Sequence, residues 1–346
     1  MHKIRIGMIG AGFMGGMHAQ AAHESHIAKI VAVSDIKVDR AESLAAKYGG
    51  RTYTDYQKML DQETLDAVVV TTPENDHCSP VVSAANKGCH IFVEKPLAVT
   101  LADADTMIAA CEMAKVKLMV GFILRFESAY AKMKEALTSG MVGSLMSAYG
   151  RRNASRTEAR RLSGRCSVIN YLTVHDIDQI LWFNDGHQVK KVTTKAIKGR
   201  IFEELGVADY SWTWLEFENG SLGVVESGWG ITEKWSDWRE PVEWKGFGNV
   251  QMHVIGSEGV MDLNFQPMNL YSVDSQDGWK FPDTRHWPTV NGRIGGAERA
   301  QILHFLECVL LNLEPLVNGK TSRRAVEICL ASENSIAKNC AIDLLC

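Results

Sequence analysis

The chain has 346 residues, of which 46% are hydrophobic and 23% charged, and its formal net charge is −4 at pH 7. This length and composition predict two domains with sizeable cores and exclude a disordered chain. The mildly acidic balance disfavours nucleic-acid binding, and no apolar run reaches the roughly 18 residues of a membrane span. Because no signal-peptide pattern is present, the sequence predicts a cytoplasmic protein.

The eight cysteines form no C-x-x-C pair and no other metal-ligand spacing. We therefore expect free thiols in a reducing compartment, and we predict no metal site. The cysteines stand at positions 78, 89, 111, 166, 308, 329, 340 and 346.

The first predicted element is an apolar strand over 4–9 that runs directly into Gly10-Ala11-Gly12-Phe13-Met14-Gly15. In such a G-x-G-x-x-G turn, Gly10 permits the tight turn and Gly12 lets the backbone approach a pyrophosphate. Gly15 lets the following helix pack closely on the strand, and we expect Phe13 and Met14 of the turn to contact the cofactor. A glycine-rich turn without a ligand is the alternative, but the predicted helix at 18–26 and strand at 30–33 favour dinucleotide binding.

Asp35 ends the second predicted strand, where an acidic residue can bind both hydroxyls of the adenosine ribose. A 2′-phosphate at this place would meet a like charge, so we predict NAD as the cofactor. Lys37 and Arg40 follow closely and would offset part of the repulsion, which leaves NADP possible.

Strand and helix continue to alternate up to about residue 121, which is typical of a doubly wound parallel sheet. We assign residues 1–122 to an NAD(P)-binding Rossmann domain. The predicted elements are strands at 65–71, 90–93 and 117–121 and helices at 80–87 and 101–114.

From about residue 144 the predicted strands carry long and aromatic side chains, and Asn219-Gly220 marks a hairpin turn. We assign residues 123–346 to an α+β domain with a large, open, mostly antiparallel sheet, which binds substrate and forms oligomers and whose last helices can pack back on the first domain. The predicted strands are 144–153, 189–195, 209–217, 221–229, 250–255, 260–264 and 269–273, and the predicted helices are 169–183, 298–313 and 323–338.

Glu94-Lys95-Pro96 comes directly after the predicted strand at 90–93. Ligands of open α/β sheets bind beyond the carboxyl ends of the strands, so Lys95 would point to the place of a nicotinamide. Glu94 would hold the ammonium charged, and a surface Glu–Lys pair is the alternative.

Thr71-Thr72-Pro73 and His77 end the preceding strand in the same way. We expect these residues to contact the cofactor's ribose or pyrophosphate. For His77, an ordinary loop or helix-start residue is the alternative.

Tyr171, His175 and Asp178 are spaced i, i+4 and i+7 and are expected to share one helix face beside an apolar stripe. A histidine there suits proton transfer at neutral pH, because its ordinary pKa is about 6.5. A histidine satisfied within the domain packing is the alternative.

These motifs together resemble the Gfo/Idh/MocA family, which includes glucose-fructose oxidoreductase and inositol dehydrogenase, over essentially the whole chain. The resemblance is carried by Gly10–Gly15, Thr72-Pro73, Glu94-Lys95-Pro96, Gly121-Phe122, Arg125-Phe126, His175–Asp178 and Ile255–Gly259.

The resemblance implies an NAD(P)-dependent dehydrogenase of a sugar, cyclitol or sugar derivative, with Lys95 and His175 as the catalytic pair. It also implies a homodimer or homotetramer that covers the open sheet, on which we placed Trp212, Trp214 and Trp229. Related inositol dehydrogenases carry an aspartate where this chain has Tyr171, which adds no negative charge near neutral pH. The candidate substrate contacts are Tyr171, Arg125, Arg152, Asn153, Asp178 and Trp229.

Two other functions fit the same motifs. The first is a redox-neutral reaction in which bound NAD transiently oxidises a sugar, permits an elimination such as glycoside cleavage, and is then restored. The second is a non-catalytic sensor of a sugar or a dinucleotide, which the presence of both Lys95 and His175 disfavours.

Overall fold

The computed structural model describes residues 3–184, 186–231, 249–265, 272–274, 278–280 and 283–344. The chain divides into two compact units, Met1–Phe126 with Arg285–Val326 and Glu127–Thr284 with Glu327–Cys346. In the described part of the chain, no helix is long and apolar enough to cross a membrane, and no group of three potential metal ligands occurs. The seven described cysteines are free thiols, and Cys346 lies outside the described residues.

The first unit is built on a six-stranded parallel sheet with the strand order β3-β2-β1-β4-β5-β6. All four residues of the strand at Ala67–Val70 are buried, as expected for a parallel strand with both faces covered. The strands are β1 Ile4–Ile9, β2 Ala28–Ser34, β3 Arg51–Tyr53, β4 Ala67–Val70, β5 His90–Val93 and β6 Leu118–Val120. The helices are α1 Phe13–Glu24, α2 Val38–Tyr48, α3 Tyr56–Gln62, α4 Cys78–Asn86 and α5 Leu101–Ala114.

The second unit contains a seven-stranded sheet with the order β12-β11-β7-β10-β9-β8-β17, in which only the β7–β10 pair is parallel. The strands of this unit that precede residue 285 are β7 Leu145–Ser155, β8 Val189–Ile197, β9 Tyr210–Phe217, β10 Leu222–Ile231, β11 Val250–Gly256, β12 Val260–Asn264, β13 Ser272–Asp274 and β14 Gly278–Lys280. β13 and β14 pair in a separate two-stranded sheet, and residues 269–271 of the predicted strand at 269–273 lie outside the described residues. Its helices are α6 Ser128–Thr138, α7 Arg156–Leu162, α8 Val174–Phe183 and α9 Arg200–Leu205.

The closing elements belong to both units. β15 Thr289–Val290, β16 Arg293–Ile294 and α10 Gly296–Leu311 belong to the first unit, and α10 buries Phe305 and Leu306 in the core of the parallel sheet. α11 Gly319–Lys338 follows, and β17 Ile342–Asp343 adds to the edge of the second sheet beside β8.

Alternating burial along β9 separates the two faces of the second sheet. Ser211, Thr213 and Leu215 are buried, whereas Trp212 and Trp214 are half-buried on the opposite face. α8 packs against the buried face, because a Cβ at Gly150 of β7 would come within 2.9 Å of the Asp176 Cβ. The Asn219-Gly220 turn joins β9 to β10 as predicted, with Gly220 at a φ of +84°.

The prediction of one continuous helix over 169–183 was wrong in its first turn. Ile169–Thr173 is a π-helical turn, and α8 begins at Val174. Trp229 lies on a strand of the second sheet, β10, as predicted, but unlike Trp212 and Trp214 it is 1% exposed, and its ring lies 5.6 Å from that of Tyr171.

Candidate active site

The turn after β1 has the geometry of a phosphate-binding fingerprint. Gly10 adopts a φ of +100°, and a Cβ at Gly15 would lie 2.3 Å from the carbonyl oxygen of Gly10, so neither position accepts a side chain. At Gly12, by contrast, a Cβ would meet nothing within 4 Å. Because α1 begins directly after Gly12, its N-terminal turn and this open space fit a pyrophosphate.

Asp35 is held in place to bind a ribose. Its Oδ2 accepts a hydrogen bond from the backbone N–H of Ala11 at 2.8 Å, and its Oδ1 accepts one from Lys37 at 2.9 Å. Each carboxylate oxygen has more than one acceptor direction, so both can still receive a ribose hydroxyl. Arg40 lies in the first turn of α2 with an exposed side chain.

The loops after β4 and β5 meet at the same edge of the sheet as the fingerprint turn, because β4 lies between β1 and β5. The Thr71 hydroxyl donates to the carbonyl of Gly10 at 2.9 Å, so Thr71 fixes the turn itself. The Thr72 hydroxyl instead donates to the carbonyl of Asp76 at 3.0 Å, within the loop that contains Pro73.

His77 connects two of these loops. Its Nε2 lies 3.1 Å from the carbonyl oxygen of Thr72, and its Nδ1 lies 3.0 Å from that of Pro96. Burial lowers the pKa of His77 from its ordinary value. In these contacts His77 acts as a structural link between loops.

Lys95 is half-buried and lies two residues beyond the carboxyl end of β5. The peptide bond between Lys95 and Pro96 is cis. Its backbone N–H donates to Oε2 of Glu94 at 3.1 Å. Burial alone would raise the pKa of Glu94, but His18 and Lys95 outweigh it and hold the carboxyl ionised.

The sequence analysis missed His18 and Glu298, which complete the surroundings of Glu94. Both are fully buried, and the His18 ring bridges the two carboxylates. His18 and Glu298 are 280 residues apart in the chain, and no local pattern indicates such a pairing.

In the second unit, the predicted row of Tyr171, His175 and Asp178 divides by burial. Tyr171 and His175 are partly exposed, four residues apart across the junction of the π turn and α8. Asp178 is fully buried and accepts a hydrogen bond from Gln179 at 3.1 Å.

Tyr171 is anchored by a buried carboxylate that the sequence analysis also missed. Its hydroxyl donates a short hydrogen bond to Glu158 of α7 and accepts one from Arg161 at 3.0 Å. Arg161 also binds both oxygens of Glu158, at 2.9 and 2.5 Å. Tyr171 therefore lies beside a carboxylate whose charge Arg161 balances.

Arg152 and Asn153 are neighbours in β7 and lie on opposite faces of its sheet. Arg152 makes a bidentate ion pair with the buried Asp176, at 2.8 and 3.1 Å, and Asp176 outweighs burial to raise the pKa of Arg152. Asn153 donates to Glu226 on the other face at 3.3 Å. In its contacts with Asp176, Arg152 stabilises the packing of α8 on the second sheet.

Two further candidate residues lie elsewhere. Arg125 is 5% exposed, in a 3-10 turn of the first unit. Trp229 packs on Tyr171, and its buried Nε1 has no hydrogen-bond partner among the described residues. The roles of Tyr171, Arg125, Arg152, Asn153, Asp178 and Trp229 toward a substrate remain predictions.

Known protein families match both halves of the chain. The family described as an oxidoreductase family with an NAD-binding Rossmann fold matches residues 4–122, and the GFO/IDH/MocA C-terminal domain matches residues 130–262. A myo-inositol 2-dehydrogenase of Thermotoga maritima is 33% identical over 65% of this chain and 68% of its own length. A scyllo-inositol 2-dehydrogenase (NAD(+)) of Bacillus subtilis is 26% identical over 99% of this chain and 97% of its own.

Among solved structures, scyllo-inositol dehydrogenase from Lactobacillus casei with bound NAD(H) and scyllo-inositol is similar in fold. It has a TM-score of 0.83 at 19% identity and covers 99% of both chains.

A fingerprint turn on a parallel sheet, joined to a second unit with a mostly antiparallel sheet, defines an NAD-binding oxidoreductase. The chain belongs to the GFO/IDH/MocA family, its cofactor is NAD, and it acts on CH–OH groups. The resemblance drawn from the motifs is confirmed, as is the predicted fold class.

Proposed function

We propose that this protein is an NAD-dependent dehydrogenase that oxidises a secondary hydroxyl of a cyclitol or a closely related polyhydroxylated ring. The observation that carries the proposal is the meeting of three loops at one sheet edge. The fingerprint turn, the Thr71-Thr72 loop and the Glu94-Lys95 turn follow the adjacent strands β1, β4 and β5. A lysine at that edge is in the right place to contact a substrate beside a bound nicotinamide.

In this proposal the cofactor supplies hydride-accepting chemistry, and the chain's own residues handle the proton and the charge. Lys95 hydrogen-bonds the reacting oxygen and stabilises its developing negative charge. His175 accepts the hydroxyl proton during oxidation. Asp35 and the N-terminal turn of α1 hold the cofactor through its ribose and pyrophosphate.

Two findings support a cyclitol as the substrate class. Both curated relatives named above are inositol 2-dehydrogenases. In addition, Glu158 places a carboxylate against the hydroxyl of Tyr171, four residues before His175. We infer that Tyr171 and Glu158 together recognise a substrate hydroxyl.

The proposal is tested by following NADH formation with myo-inositol, scyllo-inositol, aldoses, uronates and glycosides, each with NAD and with NADP. We expect turnover with at least one cyclitol. Lys95→Ala should lower its kcat by about a hundredfold or more while NAD affinity changes little. Normal turnover of Lys95→Ala would contradict the role of Lys95.

Product analysis of each substrate and binding measurements with sugar and NAD, made beside the NADH assay, separate the alternatives. A redox-neutral enzyme would convert a glycoside without accumulating NADH. A sensor would bind sugar or NAD and turn over neither.

A further inference from the structure

His18 lies at the centre of a buried charge cluster in the first unit, formed by His18 of α1, Glu94 after β5 and Glu298 of α10. Its Nδ1 is 2.5 Å from Oε1 of Glu298, and its Nε2 is 2.7 Å from Oε1 of Glu94. A histidine can donate to two carboxylates at once only as the imidazolium. Burial lowers the pKa of His18, but the two carboxylates outweigh it and raise it to about 10.

The cluster continues to the backbone of Lys95. The Oε1 of Glu94 faces His18, and its Oε2 accepts the backbone N–H of Lys95 at 3.1 Å. The carboxylate is also closely confined, because a Cβ at Gly121 would lie 2.9 Å from its Oε1. At the far end, Gln301 donates to Oε2 of Glu298 at 2.6 Å. An unbroken series of hydrogen bonds therefore runs from α10 through α1 to the turn that carries Lys95.

Stability alone does not explain this cluster. Removing three charged groups from water costs several kcal/mol, and apolar residues of similar volume often do as well or better. α1 already packs through small residues before and after His18, among them Gly15, Ala19 and Ala22. A fixed imidazolium instead holds the Glu94 carboxylate in one position and keeps it ionised.

We propose that His18 is the positioning residue of Lys95. Its imidazolium fixes Glu94, and Glu94 fixes the backbone from which the Lys95 side chain departs. Because His18 lies on the helix that begins at the fingerprint turn, the cluster ties the pyrophosphate-binding helix to the lysine. This inference rests on the proposed catalytic role of Lys95.

The kinetic test is a double-mutant cycle between His18→Gln and Lys95→Ala. We expect His18→Gln to lower kcat at least tenfold while the dissociation constant of NAD changes less than about threefold. In the Lys95→Ala background, His18→Gln should lower kcat no further, because the two residues act as one unit. Independent, additive losses would overturn the proposal.

The matched control is His23→Gln, which changes an exposed histidine on the same helix and should leave kcat unchanged. If His18→Gln does not fold, His18→Gln/Glu298→Gln removes one charge of each sign and keeps the net charge of the cluster. That variant should show the same lack of additivity with Lys95→Ala.

A second readout uses the protein without cofactor. Reductive methylation of the lysines gives each an NMR signal, and Lys95→Arg identifies that of Lys95. We expect His18→Gln to shift this signal and His23→Gln to leave it in place, and an unmoved signal in His18→Gln would overturn the proposal. If Lys95→Ala keeps normal turnover, the proposed function fails, while this arm still decides whether His18 positions Lys95.

Discussion

At the scale of single residues, the Asp35 carboxylate carries the choice between NAD and NADP. Two backbone N–H groups fix its oxygens, so it cannot swing away from a 2′-phosphate without losing both hydrogen bonds. Lys37 and Arg40 are exposed at the start of α2. Solvent therefore screens their attraction for a 2′-phosphate, which weakens their effect against the preference for NAD.

We predict that kcat/KM is at least about tenfold higher with NAD than with NADP, which corresponds to about 1.4 kcal/mol. Asp35→Ser should lower the ratio of kcat/KM with NAD to that with NADP, or bring it below one, because it removes the repelling charge and makes room for the 2′-phosphate of NADP. The measurement is kcat/KM for both cofactors in both proteins. Equal or better efficiency of the wild type with NADP would show that Lys37 and Arg40 dominate.

His175 is predicted to make oxidation depend on pH. Histidine titrates with an ordinary pKa of about 6.5 and accepts a proton only when neutral, so kcat/KM should rise with pH through one ionisation near neutrality. His175→Asn should remove this dependence and most of the activity. The control is His187→Asn, an exposed histidine of the same unit, which should keep the wild-type profile. A flat wild-type profile, with chemistry shown to limit the rate, would contradict the role.

At the scale of elements, local signals predicted most of the fold. β5 at His90–Val93 and α5 at Leu101–Ala114 have the predicted bounds. The signals for both elements, a buried apolar run and a helix cap, lie in residues that are consecutive in the sequence. Thr100 caps α5 by accepting from the backbone of Asp103. Several of the missed elements lack such signals: β3 is a short edge strand with little burial, and α7 and α9 have seven and six residues. α2 was also missed, although its buried residues Ala41, Leu44 and Ala45 have helical spacing.

The partners of the predicted site residues could not be predicted in the same way. Glu158 reaches Tyr171 from a helix 13 positions earlier, and Glu298 reaches His18 from the other end of the chain. Asp178 matched the helical spacing but is buried, since the packing of the whole helix decides which polar residues reach the surface. Such contacts depend on tertiary structure, which one sequence does not specify locally.

The His18 cluster predicts how the stability of the first unit depends on pH. The pKa of His18 is raised from 6.5 to about 10 on folding, so its contribution is fully present below pH 6.5 and is lost as the pH rises toward 10. The difference in Tm between the wild type and His18→Gln should therefore shrink over that range. A constant or growing difference would show that His18 is neutral in the folded protein.

At the scale of the whole molecule, the face of the second sheet opposite α8 carries a candidate interface. Tyr149, Trp212 and Trp214 form a stacked row of half-buried aromatic rings there, beside the Arg151–Glu226 ion pair. Aromatic rows of this kind usually mark an interface.

We predict a homodimer or homotetramer assembled through this face. Light scattering at micromolar concentration should give a multiple of the 38.3 kDa chain mass, and Trp212→Arg should shift it toward the monomer. Met113→Arg, at an exposed apolar residue of α5 in the first unit, is the control and should not change the mass. A monodisperse wild-type monomer would refute the prediction.

In the proposed reaction, hydride leaves a carbinol carbon of a polyhydroxylated ring and arrives on NAD. The most direct measurement uses a cyclitol deuterated at its ring carbons, with mass spectrometry of the reduced cofactor after turnover. We predict one deuterium in each NADH formed and a ketone product. Converted substrate with no deuterium in released NADH would contradict it.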